Sequence, residues 1–235
     1  PADIDSSLWL RRYLSIQGRS SSPLLDAYLE SGWRQESGIT TYPDVRPIST
    51  YIKRVDGEMK GWGSSHDCVL ANLASDSGLT NALHAMSLLR KRLKNKSFAS
   101  FWWPLDGLML SLLPRGSLRR SDVERVSNQN LAPAVEKTMP KENALALSTF
   151  SRCLMHLRHG TQTEQRDAQT DLDSLITSHE NFENLLVMQL PDPECNEPIS
   201  QTKWHWNGAM ERSLAPDPKG YLAAALLLAA QVRSK

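Results

Sequence analysis

No charge of either sign dominates this chain. Its 27 Lys and Arg face 26 Asp and Glu, for a formal net charge of +1. A nucleic-acid binder ordinarily carries a basic excess, so no nucleic-acid partner is expected. Cysteine is scarce: Cys68, Cys153 and Cys195 are odd in number and far apart. They form neither a zinc-knuckle spacing nor a disulfide framework, which fits a reducing compartment and a cytoplasmic protein. No signal-peptide pattern is present, and the first residue is Pro1 rather than methionine, which points to a processed or truncated chain. The longest apolar run, "GYLAAALLLAA" at 220–230, is too short to cross a bilayer and reads as a buried helix, so no transmembrane segment is expected. Strand-like alternation is rare as well.

What the chain does have is helical spacing of apolar residues. "DIDSSLWLRRYLSIQG" has a polar start, apolar Leu8, Leu10, Tyr13, Leu14 and Ile16, and Gly18 as a stop. "SPLLDAYLESG" follows, with Ser22 as N-cap, Pro23 at the first helical position and Gly32 as the stop. "SSHDCVLANLASDSG" is a third helix and "LTNALHAMSLLRKRLKNK", capped by Thr80, a fourth whose cationic end suits the helix dipole. "PLDGLMLSLLP", residues near 121–130, "PKENALALSTFSRCLMHLRHG", "EQRDAQTDLDSLITSHENFENLLVMQ" and "PKGYLAAALLLAAQV" complete an all-α chain. Two long connections, 35–62 and 190–218, are rich in Gly and Pro, and long loops of that kind often carry function.

Nearly all-apolar helices starting near Asp5, Asp67, Asp106, Asn143 and Gly220 alternate with amphipathic ones. Asp67, Asp106 and Asn143 are almost evenly spaced. A helix apolar all round is buried, whereas an amphipathic one faces water on one side. Stacked pairs of the two kinds, if they curve shut, form an α/α toroid of alternating inner and outer helices. The polar residues opening each inner helix then gather at one rim. The expectation is a single domain over 1–235, a toroid closed or incomplete, within a longer chain or standing alone.

"PADIDSSLWLRRYL", "ITTYPD", "GWGSSHDCVLANL", "SFASFWWPLDGLMLSLL" and "DPKGYLAAALLLAA" together resemble the squalene–hopene cyclase and prenyltransferase superfamily, in its toroidal catalytic half. The pieces have that family's order and approximate spacing. Class II cyclases of the family carry an Asp-x-Asp-Asp motif whose middle carboxylic acid protonates an alkene or epoxide. The resemblance implies that Asp3 matches its first aspartate and Asp5 the proton donor, with Ser6 in place of the last aspartate. The chemistry demands such a group. An alkene is a very weak base, so its protonation takes a strong acid in a dry pocket, with partners ready to stabilise the carboxylate left behind. Aromatic faces then attract the cation, which makes Trp62, Trp102 and Trp103 candidate pocket walls. His66, Asp67 and Asp106 fall at the pocket rim. Without the resemblance, "DIDSS" is an ordinary helix start, with carboxylates at the positive end of the dipole.

Other clusters have plainer explanations. In "SHDC", adjacent helical side chains point about 100° apart, so joint zinc coordination by Asp67 and Cys68 is awkward, and nothing selects His205 as a remote ligand. Cys68 is expected to pack inside. "DLDS" at 171–174 reads as a solvated helix face, because no Asp-Asp-x-x-Asp motif accompanies it. "RKRLKNK" reads as cationic capping, and "KWHWNG" as a lid or a packed loop.

The sequence therefore points to a class II terpene cyclase-like enzyme, an isomerase or lyase of biosynthesis that cyclises an isoprenoid or similarly apolar small molecule. Asp5 is its acid and Asp3 orients that acid. No cofactor is expected; magnesium enters only with a diphosphate substrate. The alternatives are a related toroid performing cyclisation or elimination on another natural-product intermediate, and a non-catalytic binding or assembly module. An additional domain or subunit is the expected source of any missing part of the ring.

Overall fold

Ser22 and Pro23 start a helix as their chemistry requires: the serine hydroxyl accepts from the Leu25 N–H, and proline's missing donor falls where none is needed. This is one of twelve helices in a computed structural model that describes residues 3–51, 59–178, 185–190, 204–206, 213–217 and 221–231. The described residues divide into two compact units, one running through Ala99 and one from Ser100. The chain is mainly helical, as expected, and among the described residues no helix is long and apolar enough to cross a membrane.

In chain order the first unit holds α1 (Ile4–Ile16), α2 (Pro23–Ser31), β1 (Trp33–Arg34), β2 (Gly38–Ile39), α3 (Arg46–Tyr51), α4 (Lys60–Gly63), α5 (Asp67–Ala74) and α6 (Ala82–Lys94). All eight residues of α5 are buried, which satisfies its all-apolar reading. α1 differs. Ile4, Ser7 and Leu8 are buried at its head, while Leu10, Tyr13 and Ile16 are more than half exposed. It packs on α2 and α5, and apolarity alone cannot reveal which of its residues those neighbours cover. Arg11 fastens α1 to its surroundings through Asp26 of α2 (2.8 Å), Asp76 and the Gly78 carbonyl (3.3 Å). The expected cap of α6 is corrected: Asn81, not Thr80, precedes it. The Thr80 N–H and the Asn81 side-chain amide both donate to Glu30, which ties the start of α6 to α2.

The connection read as a long loop is partly structured. β1 and β2 pair antiparallel, Trp33 opposite Ile39 and Arg34 opposite Gly38, and Gly38 adopts the left-handed φ of 98° that this turn needs. Beyond it, Ile39–Thr41 run extended and buried between two helix heads. The Ile4 N–H donates to the Thr41 carbonyl (2.8 Å) and the His66 N–H to the Ile39 carbonyl (3.1 Å). That strip sets the first turns of α1 and α5 side by side.

The second unit holds α7 (Asp106–Leu110), α8 (Arg120–Ser127), α9 (Pro133–Glu136), α10 (Lys141–His159), α11 (Gln162–Ser178), β3 (Val187–Leu190), β4 (His205–Trp206), β5 (Ser213–Pro216) and α12 (Tyr221–Gln231). α10 is its core: Leu147, Phe150, Cys153, Leu154 and Met155 are fully buried, and α7, α8, α11 and α12 pack on it. Every residue of α7 is buried. The expected helix reaching Gln189 is corrected, since Val187–Leu190 form a strand. Its residues pair with β5 from Val187–Pro216 to Leu190–Ser213, and the Gln189 N–H donates to the Trp102 carbonyl (2.7 Å), demands that an extended backbone meets. "KWHWNG" contributes a buried Trp204 and the short β4, parallel to β5; Lys203, Asn207 and Gly208 lie outside the described residues. "DLDS" shows an exposed Asp171, paired with Arg152 at 3.2 Å, and an exposed Asp173, the solvated face expected.

Candidate active site

Asp3 is the N-cap of α1. One of its oxygens accepts from the Ser6 N–H (2.7 Å) and the other from the Ser6 hydroxyl (2.9 Å). The serine at the last motif position thus spends its hydroxyl on Asp3. Asp5 points elsewhere. Its Oδ1 accepts a hydrogen bond from the Asn72 side-chain amide at 2.9 Å, across from the middle of α5. Surrounding protein pushes the Asp5 carboxyl up to about 6; the Asn72 bond opposes this, Asp3's charge adds to it and Arg12's opposes it.

Around these carboxyls stand residues that the sequence reading passed over. Asn72 is the only strongly polar side chain between Cys68 and Ala74 on α5 and is 1% exposed, a placement that asks for a reason. Arg12 donates to the Asn72 side-chain Oδ1 (3.3 Å) and to the Ser75 hydroxyl, and lies 5.5 Å from the Trp9 ring centre. Tyr42, just past the buried strip, stacks on Trp62, with ring centres 6.0 Å apart and planes 21° from parallel. Burial, then the charges of Asp3, Tyr28 and Asp5, keep the Tyr42 phenol well above the ordinary tyrosine range. Tyr28 of α2 is raised too, by burial and by Asp3. Both phenols therefore stay neutral O–H groups. Arg12 and Asn72 had readable signals, a cation seven residues beyond Asp5 and a polar break in an apolar helix. Tyr42 had none beyond its loop.

Of the residues expected from sequence, Asp3, Asp5, Trp62, His66 and Asp67 belong to the first unit, and Trp102, Trp103 and Asp106 to the second. Trp62 and His66 are buried. Burial pushes the His66 imidazole down to about 3, despite hydrogen bonds to the backbone of Gly61 and Trp62 that favour the charged form. It is neutral at physiological pH. Asp67, although at the head of α5, is committed to structure: it pairs with Arg92 of α6 and accepts from the Ala99 N–H (3.0 Å). Cys68 is buried, as expected.

In the second unit Trp102 and Trp103 are buried, and Trp102 packs edge-on against Phe101, ring centres 4.9 Å apart. Asp106 heads α7. It accepts from the Ser100 N–H (3.0 Å), and its own N–H donates to Gln129 (2.9 Å). Burial pushes its carboxyl up to about 6, against the Ser100 bond, the Arg125 charge and the Gln129 bond. The heads of α1 and α7 thus each carry a carboxyl that holds a proton more tightly than usual.

Two open grooves are lined by none of these residues. One of about 510 Å³ runs between α10 and α11 along Leu145, Arg152 and Asp171, and one of about 530 Å³ lies beside Trp33, His84 and Lys91. Among the described residues no group of three or more His, Cys, Asp or Glu is arranged to hold a metal ion.

Compared with solved structures, the chain is similar to a protein from Actinoplanes, with TM-score 0.73 and 19% identity over 97% of this chain and 74% of that one. It is also similar to the type II terpene cyclase MstE from Scytonema. An aspartate-to-asparagine variant of that enzyme, solved with its substrate geranylgeranyl dihydroxybenzoate, matches with TM-score 0.70 and 16% identity over 97% of this chain and 72% of that one. An aspartate-to-alanine variant solved with the product merosterolic acid A gives 0.69 and 16% over 97% and 71%. No protein-family model matches the sequence, and no characterised protein matches it by sequence. At such identities the likeness establishes the fold: this chain is folded like a terpene cyclase.

Proposed function

We propose that this chain is a class II terpene cyclase-like enzyme of the squalene–hopene cyclase superfamily, an α/α toroid that cyclises an isoprenoid or similarly apolar substrate by protonating it. The observation that supports this most is the Asp5 carboxyl, held near 6 by its surroundings while one oxygen is fixed by Asn72. A carboxyl in the ordinary range is almost wholly ionised at neutral pH, whereas one near 6 keeps about a tenth of its molecules protonated.

Asn72 occupies Oδ1, so Oδ2 carries the proton that is given away. The alkene π pair, or an epoxide oxygen, takes that proton, and the O–H electrons stay on the carboxylate. Asn72 then donates to a full negative charge, the point at which its bond is strongest. The substrate cation is closed by its own internal double bonds and ends by losing a proton or capturing a nucleophile. Trp62 and Tyr42 offer aromatic faces for that cation. The pocket-wall role of Trp102 and Trp103 and the rim role of Asp106 rest on the sequence resemblance alone. The reading assigns no metal to the acid step. Any domain or subunit that adds helices to the ring is likewise a proposal.

The test is direct. The purified chain is incubated with linear polyprenyl substrates, including a geranylgeranyl dihydroxybenzoate, and products with fewer double bonds, of unchanged mass or heavier by one water, are sought. Asp5→Asn is expected to lose at least about 10³-fold in turnover while its circular dichroism is unchanged. A fully active Asp5→Asn variant sinks the proposal.

A further inference from the structure

Asp5 and Arg12 are seven residues apart on α1, which places them on one face two turns from each other. Asn72 of α5 stands between them in a fixed order: its Nδ2 donates to Asp5 (2.9 Å) and its Oδ1 accepts from Arg12 (3.3 Å). That order has a cause. A primary amide can be flipped, exchanging its donor and acceptor ends, and a carboxylic acid can tolerate either end. A guanidinium has only donors and cannot. Flipping Asn72 would set N–H against N–H at Arg12. It would also leave Asp5 facing an acceptor, which bonds only to the protonated acid and so disfavours giving the proton away.

We infer that Arg12 is a positioning residue for the acid: it locks the Asn72 amide in the orientation that donates to Asp5, and so sets how readily Asp5 yields its proton. Arg12 is itself held from three sides, by Asn72, by the Ser75 hydroxyl at the end of α5 and by the Trp9 ring one turn back. The lock therefore belongs to the α1–α5 contact. The other ionisable groups facing this carboxyl are Asp3 on its own helix and Tyr42 just past the buried strip, with Tyr28 of α2 beyond Asp3. The phenols are neutral, so Arg12 is the cation that opposes Asp3 here. Its charge favours the carboxylate in the same direction as the lock.

This inference rests on the reading of Asp5 as the acid, but its test does not require turnover. The resting protein is labelled so that the Asp5 carboxyl carbon and the Asn72 side-chain NH₂ are both observed by NMR across pH. In the parent the Asp5 midpoint is expected near 6, with the Asn72 amide signals moving at the same midpoint. Arg12→Met and Arg12→Gln should each raise the Asp5 midpoint by about half a unit or more and uncouple the Asn72 signals from it. Arg12→Lys, which keeps the charge but not the planar fork, should recover part of the midpoint. The glutamine variant carries the test if the methionine one does not fold. A folded Met or Gln variant with an unmoved midpoint and Asn72 signals that still follow Asp5 overturns the inference. If the midpoints move and the Asn72 signals uncouple from Asp5 but no substrate is ever cyclised, the Arg12 lock stands and the cyclase reading falls; a moved midpoint with Asn72 signals that still follow Asp5 reduces Arg12 to its charge and overturns the lock. If turnover is found and the midpoints do not move, the reverse holds.

Discussion

Asp3 and Asp5 are two residues apart and have different tasks because their oxygens meet different partners. Asp3 is wrapped by the Ser6 N–H and hydroxyl, local donors that suit a helix cap. Asp5 faces inward to one amide. Replacing the motif's last aspartate by Ser6 removes one anion from beside Asp5, yet burial alone raises the Asp5 carboxyl more than Asp3's charge does. On the proposed reading, the acid therefore does not depend on a third carboxylate. A rate that needs protonated Asp5 has a definite pH shape. About one unit below 6 some nine-tenths of molecules hold the proton and kcat/KM should level off; from about one unit above 6, each further pH unit should cost about tenfold. A profile measured from about pH 5 to 9 checks this. A rate that climbs with pH across that range would show that Asp5 works as a base or not at all.

Close approach between elements is most severe at α7 and α10. A Cβ on Gly107 would come within 2.5 Å of the Ser151 oxygen and 3.0 Å of Met155 Cγ, both on α10. The serine can rotate, but the methionine a turn further along blocks the same space, so the helices would have to part. Gly107→Ala should gain about 1 kcal/mol of helix propensity and lose more than that to overpacking, a net cost of about 1–2 kcal/mol in urea melts. Adding Ser151→Ala should return part of it; a double variant no better than the single would place the strain elsewhere. Elements of this kind were legible as long as local rules decided them. Ser22, Pro23 and Gly32 bracket α2 as read, and the heads of α5 and α7 fall on Asp67 and Asp106. The strand at Val187–Leu190 was not, because a short apolar run fits helix and strand alike until its pairing partner is known. The site divides in the same way. Asp3 and Asp5 stand out by pattern. Arg12 sits beside Arg11, and only tertiary contacts show that Arg11 binds Asp26 and Asp76 while Arg12 serves Asn72. Tyr42 reaches Trp62 from a loop whose course no periodicity records.

Among the described residues, each unit holds an aspartate raised and a histidine depressed, chiefly by the protein around them. The first unit has Asp5 raised to about 6 and His66 depressed to about 3; the second has Asp106 raised to about 6 and His159 depressed to about 4, all four chiefly by burial. Their effects on stability have opposite signs. A raised carboxyl keeps a proton that the unfolded chain has lost, so its contribution is full below the ordinary value of 3.8 and disappears as pH climbs through 6. A depressed imidazole contributes above 6.5 and loses that as pH falls toward 3 or 4. Between about pH 4.5 and 6 each group tilts stability by about 1.4 kcal/mol per unit, downward with pH for an aspartate and upward for a histidine, so each pair is nearly level. Removing one member should expose the other. Relative to the parent, the stability of Asp5→Asn is expected to climb by about 1.4 kcal/mol per pH unit over that window. By about pH 8 the variant should be more stable than its parent by about 2 kcal/mol, since the parent alone must ionise a crowded carboxyl there. His66→Gln should tilt the profile the other way. Urea melts of the three proteins at several pH values decide it. Parallel curves for Asp5→Asn and the parent would mean that Asp5 titrates in the ordinary range. A variant that loses turnover and gains stability in one step would show that the fold keeps this acid for its chemistry and at a cost in stability.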